Sequence, residues 1–268
     1  MKRTVDKTKK IKHYCMVDIK NCIKRFFNRR LPWYVLPTMV AGMLFVASSP
    51  TWKPLLPTVP VPMSLEERVE ASTVLLTYGN GGASGVLVRH DGKWYCWTAA
   101  HVARGLGDLT NSRVTARILG DFFPGRVVRV VAQDDGLDLA VLELKLPDVT
   151  FKSARVFQGK LRLGQEVLNC GNVYATGVPW NSTRGRISQV PGFSQALTRH
   201  WANGKFVGCS VPGYPGCSGS GVWTTGGRLA GILVGGFGPG AVAIVHNKVM
   251  ADFARSNRID WALGDNYE

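Results

Sequence analysis

Three short stretches carry residue types able to do covalent chemistry. Gly216-Cys217-Ser218-Gly219-Ser220-Gly221 holds two hydroxyls and a thiol in a glycine frame, Thr98-Ala99-Ala100-His101 holds an imidazole, and Asp138-Leu139-Ala140-Val141 holds a carboxylate. A serine hydroxyl is a poor nucleophile at neutral pH. It needs a base within hydrogen-bond reach and a third group that fixes the tautomer of that base. His101 is the candidate base, Asp138 the candidate orienting carboxylate and Ser218 the candidate nucleophile. Backbone N–H groups must also meet the developing oxyanion, at about 3–4 kcal/mol per donor. A glycine two positions before the nucleophile frees the backbone to turn its N–H inward. Ser218 has Gly216 there; Ser220 has Ser218, and Cys217 has Pro215, which has no N–H to give. The expected oxyanion segment is Gly216, Cys217 and Ser218, with the N–H groups of Gly216 and Ser218 as its donors.

These groups need elements to place them. Lys93–Thr98 reads as a strand running into a small-residue turn, Ala99-Ala100, that would let His101 swing into a cleft. Asp138 opens a buried-strand run through Leu144. Short runs rich in Val, Ile, Leu and Tyr recur from Ser72 to His246, broken by Gly, Pro, Asn or Asp clusters, which predicts an all-β barrel or sandwich. The candidate strands are Ser72–Tyr78, Gly85–His90, Lys93–Thr98, Val114–Leu119, Gly125–Ala132, Leu139–Leu144, Glu166–Cys170, Gly185–Val190, Phe206–Val211, Gly221–Thr224, Leu229–Val234 and Ala241–Val245. Helical character is confined to Asn247 through about Leu263, apart from a helix start with a capping acid at Ser64-Leu65-Glu66-Glu67.

The order His101, Asp138, Ser218 and the sequences around them resemble the trypsin-like, chymotrypsin-fold serine proteases, most closely their HtrA-type branch. The resemblance covers roughly residues 70–262. It rests on Ala83-Ser84-Gly85-Val86, Thr98-Ala99-Ala100-His101-Val102, Asp135 through Leu144, Gly171-Asn172 to Gly185-Arg186-Ile187-Ser188, Leu229 through Gly236 and His246-Asn247-Lys248-Val249. It implies two six-stranded antiparallel barrels with a cleft between them, a C-terminal helix and serine endopeptidase activity on protein or peptide substrates. The rival reading is a catalytically inactive protease-fold binding module. Cys217 stands where the family usually carries an acid or asparagine, so activation by pairing with a freed N-terminus is not expected. No PDZ domain is expected after the helix.

The same resemblance places the specificity pocket. Val211 through Pro215 would form one wall, with Pro212 where a trypsin-like acid would lie. Pro212, Val234, Gly235 and Gly236 would then suit a small or medium apolar side chain rather than Lys or Arg. His246 is either a histidine that reads Glu or Gln, as in some members, or a structural histidine at a strand end.

The first seventy residues differ in kind. Residues 1–30 form a basic tail, with eleven Lys or Arg against two acids, net +9 of the chain's +15. An apolar run from Trp33 to about Ser48 follows. Basic residues before an apolar run with boundary aromatics predict a cytoplasmic N-terminus and a membrane-anchor helix over 31–49. A cleaved signal with its site near Val46-Ala47-Ser48, which would make the protein secreted, and a partly buried helix of a soluble protein are the alternatives. Five prolines make 50–69 an extended linker to the domain at 70–268, held outside the membrane.

Six cysteines leave pairing open. Cys15 and Cys22 fall in the tail; Cys217, beside the nucleophile, predicts sensitivity to bulky thiol reagents. No Cys-x-x-Cys or His/Cys cluster is present, so neither metal nor cofactor is expected. The charge outside the tail is too diffuse to predict a nucleic-acid partner.

Overall fold

Some strand segments are buried on both faces, Gly221–Thr224 and Val242–His246 along their whole length, whereas Arg113–Ile118 and Phe206–Cys209 bury alternate residues towards a barrel interior. The computed structural model describes residues 63–79, 81–107, 109–149, 151–173, 178–189, 205–236 and 240–264. These residues belong to one unit of the chain, Pro62–Glu268. The basic tail, the apolar run at 31–49 and the proline-rich residues 50–62 lie outside them. Among the described residues no helix is long and apolar enough to cross a membrane.

Twelve strands form two closed antiparallel barrels. The first contains β1 (Thr73–Tyr78), β2 (Gly81–His90), β3 (Lys93–Thr98), β4 (Arg113–Ile118), β5 (Asp121–Asp134) and β6 (Leu139–Lys145), in the order β1-β2-β3-β6-β5-β4. It closes where β1 pairs with β4, Val74 opposite Ala116. The second contains β7 (Glu166–Val173), β8 (Val178–Gln189), β9 (Phe206–Cys209), β10 (Gly221–Thr224), β11 (Leu229–Gly236) and β12 (Val242–His246), in the order β10-β11-β12-β9-β8-β7. It closes where β10 pairs with β7, Gly221 opposite Cys170. Closure leaves neither sheet an open edge.

Each of the twelve candidate segments overlaps one of these strands. The largest extensions at the start are β8, seven residues earlier than Gly185, and β2 and β5, each four residues earlier than Gly85 and Gly125. The β7–β8 hairpin contains Asn181-Ser182-Thr183, with Asn181 opposite Gly171.

Among the described residues three α-helices frame the barrels. α1 (Leu65–Glu70) begins with a capping box: the Ser64 hydroxyl accepts from the Glu67 N–H, and the Glu67 carboxylate accepts from the Ser64 N–H. α2 (Ala100–Gly105) was not evident in the sequence, which reads as a turn there. α3 (Asn247–Ser256) continues into a 3-10 turn at Asp260–Leu263. That turn joins the first barrel: Trp97, fully buried on β3, donates its indole N–H to the Ala262 carbonyl at 2.7 Å.

Residues 151–165 form a strap between barrels. The Ala154 N–H bonds the Leu87 carbonyl of β2, and the Arg155 carbonyl accepts from Leu229 of β11, both at 2.8 Å.

Candidate active site

The site is built from helix ends and turns. α2 starts after Ala99, whose side chain offers no cap, so its first N–H groups need outside acceptors. Asp138 supplies one. Its Oδ1 accepts the backbone N–H of His101 at 2.8 Å, and its Oδ2 lies 2.8 Å from His101 Nδ1. One carboxylate therefore caps the helix and orients the imidazole it carries. With the proton on Nδ1, the lone pair of Nε2 is left for a substrate-side proton. Asp138 sits in the left-handed region, φ 53°, immediately before β6, a conformation that aspartate tolerates better than most residues. The turn that leads to it is tied by Arg104 of α2 to Asp135 and by the Leu137 N–H to Asp134 Oδ1 at 2.9 Å. Both side chains are partly desolvated, His101 at 38% and Asp138 at 22% exposure.

The segment before Ser218 forms a β-turn. The Cys217 N–H donates to the Tyr214 carbonyl at 2.9 Å, with Pro215 and Gly216 between them. Gly216 has φ 99°, the positive value a type II turn requires at its third position. Its carbonyl is held by the Ser84 hydroxyl at 2.8 Å. The peptide between Gly216 and Cys217 is thus fixed at both ends. The Cys217 N–H is spent inside the turn, so Cys217 does not serve as an oxyanion donor. Among the described residues no acceptor takes the N–H of Gly216 or Ser218.

Ser84 was not among the expected site residues, yet it joins the halves. Its N–H donates to the Ser218 carbonyl at 2.8 Å, and its own carbonyl accepts from the Thr98 hydroxyl at 2.8 Å. Thr98 lies three residues before His101, so this chain of bonds links the turn at Gly216–Ser218 to the segment carrying His101. Asn172 of β7 backs the arrangement, donating its N–H to Ser84 Oγ at 2.9 Å. The local sequence offers one signal, a polar residue inside the apolar strand at Ser84-Gly85-Val86.

Ser220 is excluded as nucleophile: it is fully buried, and its hydroxyl accepts from Asn169 Nδ2 at 2.8 Å. Gly219 is obligatory. A Cβ there would lie 2.1 Å from the Ser84 carbonyl oxygen and 2.2 Å from Thr98 Oγ1, at φ 85°. Gly219→Ala is expected to destabilise the domain by about 4 kcal/mol through overpacking and backbone strain. A urea midpoint unchanged from wild type would overturn that reading.

The residues expected to line a specificity pocket separate into two places. Gly213, next to Pro212, meets Gly236 and Val242: a Cβ on Gly213 would lie 3.5 Å from Gly236 Cα and 2.6 Å from Val242 Cγ1. Pro212, Val234, Gly235 and Gly236 therefore converge at one end of β11. His246 does not join them. It pairs with Gly231 at the other end of β11, is buried, and lines a separate depression with Asn247, Lys248 and Arg162.

Cys96, Cys170, Cys209 and Cys217 are unpaired and buried. Cys217 is 2% exposed, and burial raises its thiol above the ordinary range. Its expected sensitivity to bulky reagents is corrected accordingly, because the thiolate is the reactive form and it is both scarce and covered. Burial pushes Cys170 and Cys209 up from 9.0 to about 11, and Cys96 further. The unfolded chain ionises these thiols near pH 9 while the folded chain keeps them protonated. Stability is therefore full below pH 9 and falls as pH rises towards 11. Cys170 and Cys209 should each cost about 2 kcal/mol by pH 10.5. A Cys170→Ala/Cys209→Ala variant should show a shallower fall in urea midpoint between pH 8 and 10.5, and an equally steep fall would contradict this.

Two closed six-stranded antiparallel barrels, with the Gly216–Ser218 turn tied through Ser84 and Thr98 to the segment that carries the aspartate-held His101, define the architecture of a chymotrypsin-fold peptidase. The trypsin-like peptidase domain model matches residues 83–232, more than half of the chain. The chain belongs to that family. Its structure is similar to the serine endoprotease from Yersinia pestis (20% identity over 76% of this chain and 68% of that one, TM-score 0.55). It is also similar to the HtrA-type protease AlgW, solved with a tripeptide (22% identity over 73% of this chain and 62% of that one, TM-score 0.57). Deg5 is a third such structure (20% identity over 70% of this chain and 89% of that one, TM-score 0.56). A comparison of the sequence with curated proteins finds no match.

Proposed function

We propose that the chain is a serine endopeptidase working through an acyl-enzyme. The observation that carries this is the two-pronged hold of Asp138 on His101, which leaves the imidazole as a base rather than a structural donor. In the first step His101 Nε2 takes the Ser218 Oγ proton as Oγ attacks the scissile carbonyl. The resulting oxyanion receives the N–H groups of Gly216 and Ser218. The His101 imidazolium then protonates the leaving amine, and the C–N bond breaks. A water, deprotonated by His101, hydrolyses the acyl ester and returns the proton to Ser218. Asp138 keeps its charge throughout and stabilises the imidazolium.

The close approach of Gly213 to Gly236 and Val242 supports a small apolar side chain before the scissile bond. His246, at the other end of β11, supports the structural reading of that histidine.

The decisive experiment is labelling of the full chain with a fluorophosphonate, followed by mapping of the modified peptide. Modification of Ser218 supports the reading. A folded chain that takes no label would turn the assignment to a non-catalytic binding module.

The basic tail and the apolar run at 31–49 support a signal-anchor that holds the protease domain outside the membrane. Carbonate extraction of expressing cells tests this; release of full-length chain into the soluble fraction would overturn it.

A further inference from the structure

Four cations meet in a depression of about 300 Å³ where α1, the inter-barrel strap and the β10–β11 turn come together: Arg68, Lys152, Arg155 and Arg228. No acid lines it. The backbone places each cation there independently. The Arg68 guanidinium lies over Gly227 of the turn, 3.4 Å from where a Cβ would be. The Lys152 N–H bonds the Ala71 carbonyl at 3.3 Å, the Arg155 carbonyl accepts from Leu229 at 2.8 Å, and the Arg228 N–H bonds Thr224 Oγ1 at 3.2 Å.

The nearby carboxylates are engaged elsewhere. On α1, Glu66 pairs with Arg184, Glu67 caps Ser64 and Glu70 pairs with Arg117. Among the described residues no acid forms an ion pair with Arg68, Lys152, Arg155 or Arg228. Four like charges in one depression repel each other and oppose folding unless an anion joins them.

We propose that this depression binds a phosphoryl group. Three guanidinium forks and one ammonium present more donors than the two oxygens of a carboxylate can accept. A phosphoryl group brings three terminal oxygens and close to two charges, and arginine meets it with paired N–H donors. The group can belong to a soluble phosphate compound or to a lipid headgroup, and the two are separable.

The test uses the full chain. Inorganic pyrophosphate is titrated at low ionic strength, where such contacts are least screened. Arg155→Gln/Arg228→Gln is compared with Lys160→Gln/Lys248→Gln, which removes the same charge from the depression beside α3 and leaves the basic tail intact in both. All four side chains belong to exposed residues, so the folds should hold, and melting temperatures check this. The arginine pair should weaken binding about tenfold or more, and the lysine pair less than twofold. Lys152→Gln alone should weaken it about threefold. Equal weakening by both pairs, or by neither, would overturn the site. Displacement of bound pyrophosphate by glycerol 3-phosphate and by phosphatidic acid vesicles, both phosphomonoesters, then identifies the source independently of the tail and the apolar run. Displacement by the vesicles but not by glycerol 3-phosphate assigns a lipid headgroup, whereas displacement by glycerol 3-phosphate assigns a soluble phosphate ligand.

Discussion

Ser218→Ala is expected to lower kcat on a peptide substrate about a millionfold, the scale seen when the nucleophile of such a triad is removed. No neighbour can substitute. Ser220 is buried and bonded to Asn169, and Cys217 is buried with its thiol held protonated. The fold should survive, because the Ser218 contact that ties the turn to Ser84 uses the backbone carbonyl and not the hydroxyl. Measured on the full chain, the variant should lose fluorophosphonate labelling and keep the wild-type unfolding free energy within about 0.5 kcal/mol. Residual turnover above a hundredth of wild type would move the nucleophile elsewhere.

Asp138→Asn should lower kcat about ten-thousandfold while leaving stability nearly unchanged. Asparagine accepts the left-handed conformation at φ 53°. Its Oδ1 can still receive the His101 backbone N–H, so the cap on α2 persists. The amide Nδ2 then faces His101 Nδ1. Two donors cannot share that contact, so the proton moves to Nε2 and the base loses the lone pair that should meet Ser218. Pre-steady-state acylation rates separate this from a binding defect: acylation should fall while KM holds. A loss of less than tenfold would mean that Asp138 only caps the helix.

Much of the fold was legible along the chain. The twelve apolar runs became twelve strands because these strands bury apolar residues on one or both faces and turns demand Gly, Pro, Asn or Asp, both local properties. Capping at Ser64 was legible for the same reason. The extra lengths of β5 and β8 were not. Those strands extend as hairpins at Asp121–Ile118 and Val178–Val173, where pairing with a neighbour, rather than apolar pattern, holds the residues extended. α2 was hidden because it is six residues long and its cap comes from Asp138, 37 residues away.

At the site, the sequence alone determined which residue types were available and in what order: His101, Asp138, then Ser218 behind Gly216. Spacing to a glycine is a local requirement and ranked Ser218 above its neighbours. Tertiary structure alone decided the rest. It spent the Cys217 N–H on Tyr214, made Ser84 the clamp on Gly216 across 132 residues, carried His246 to the far end of β11, and gathered four cations from three separate segments. Each of these depends on closing two barrels and laying a strap across them. No window of sequence encodes which carbonyl a hydroxyl will meet once distant strands are brought to within 3 Å.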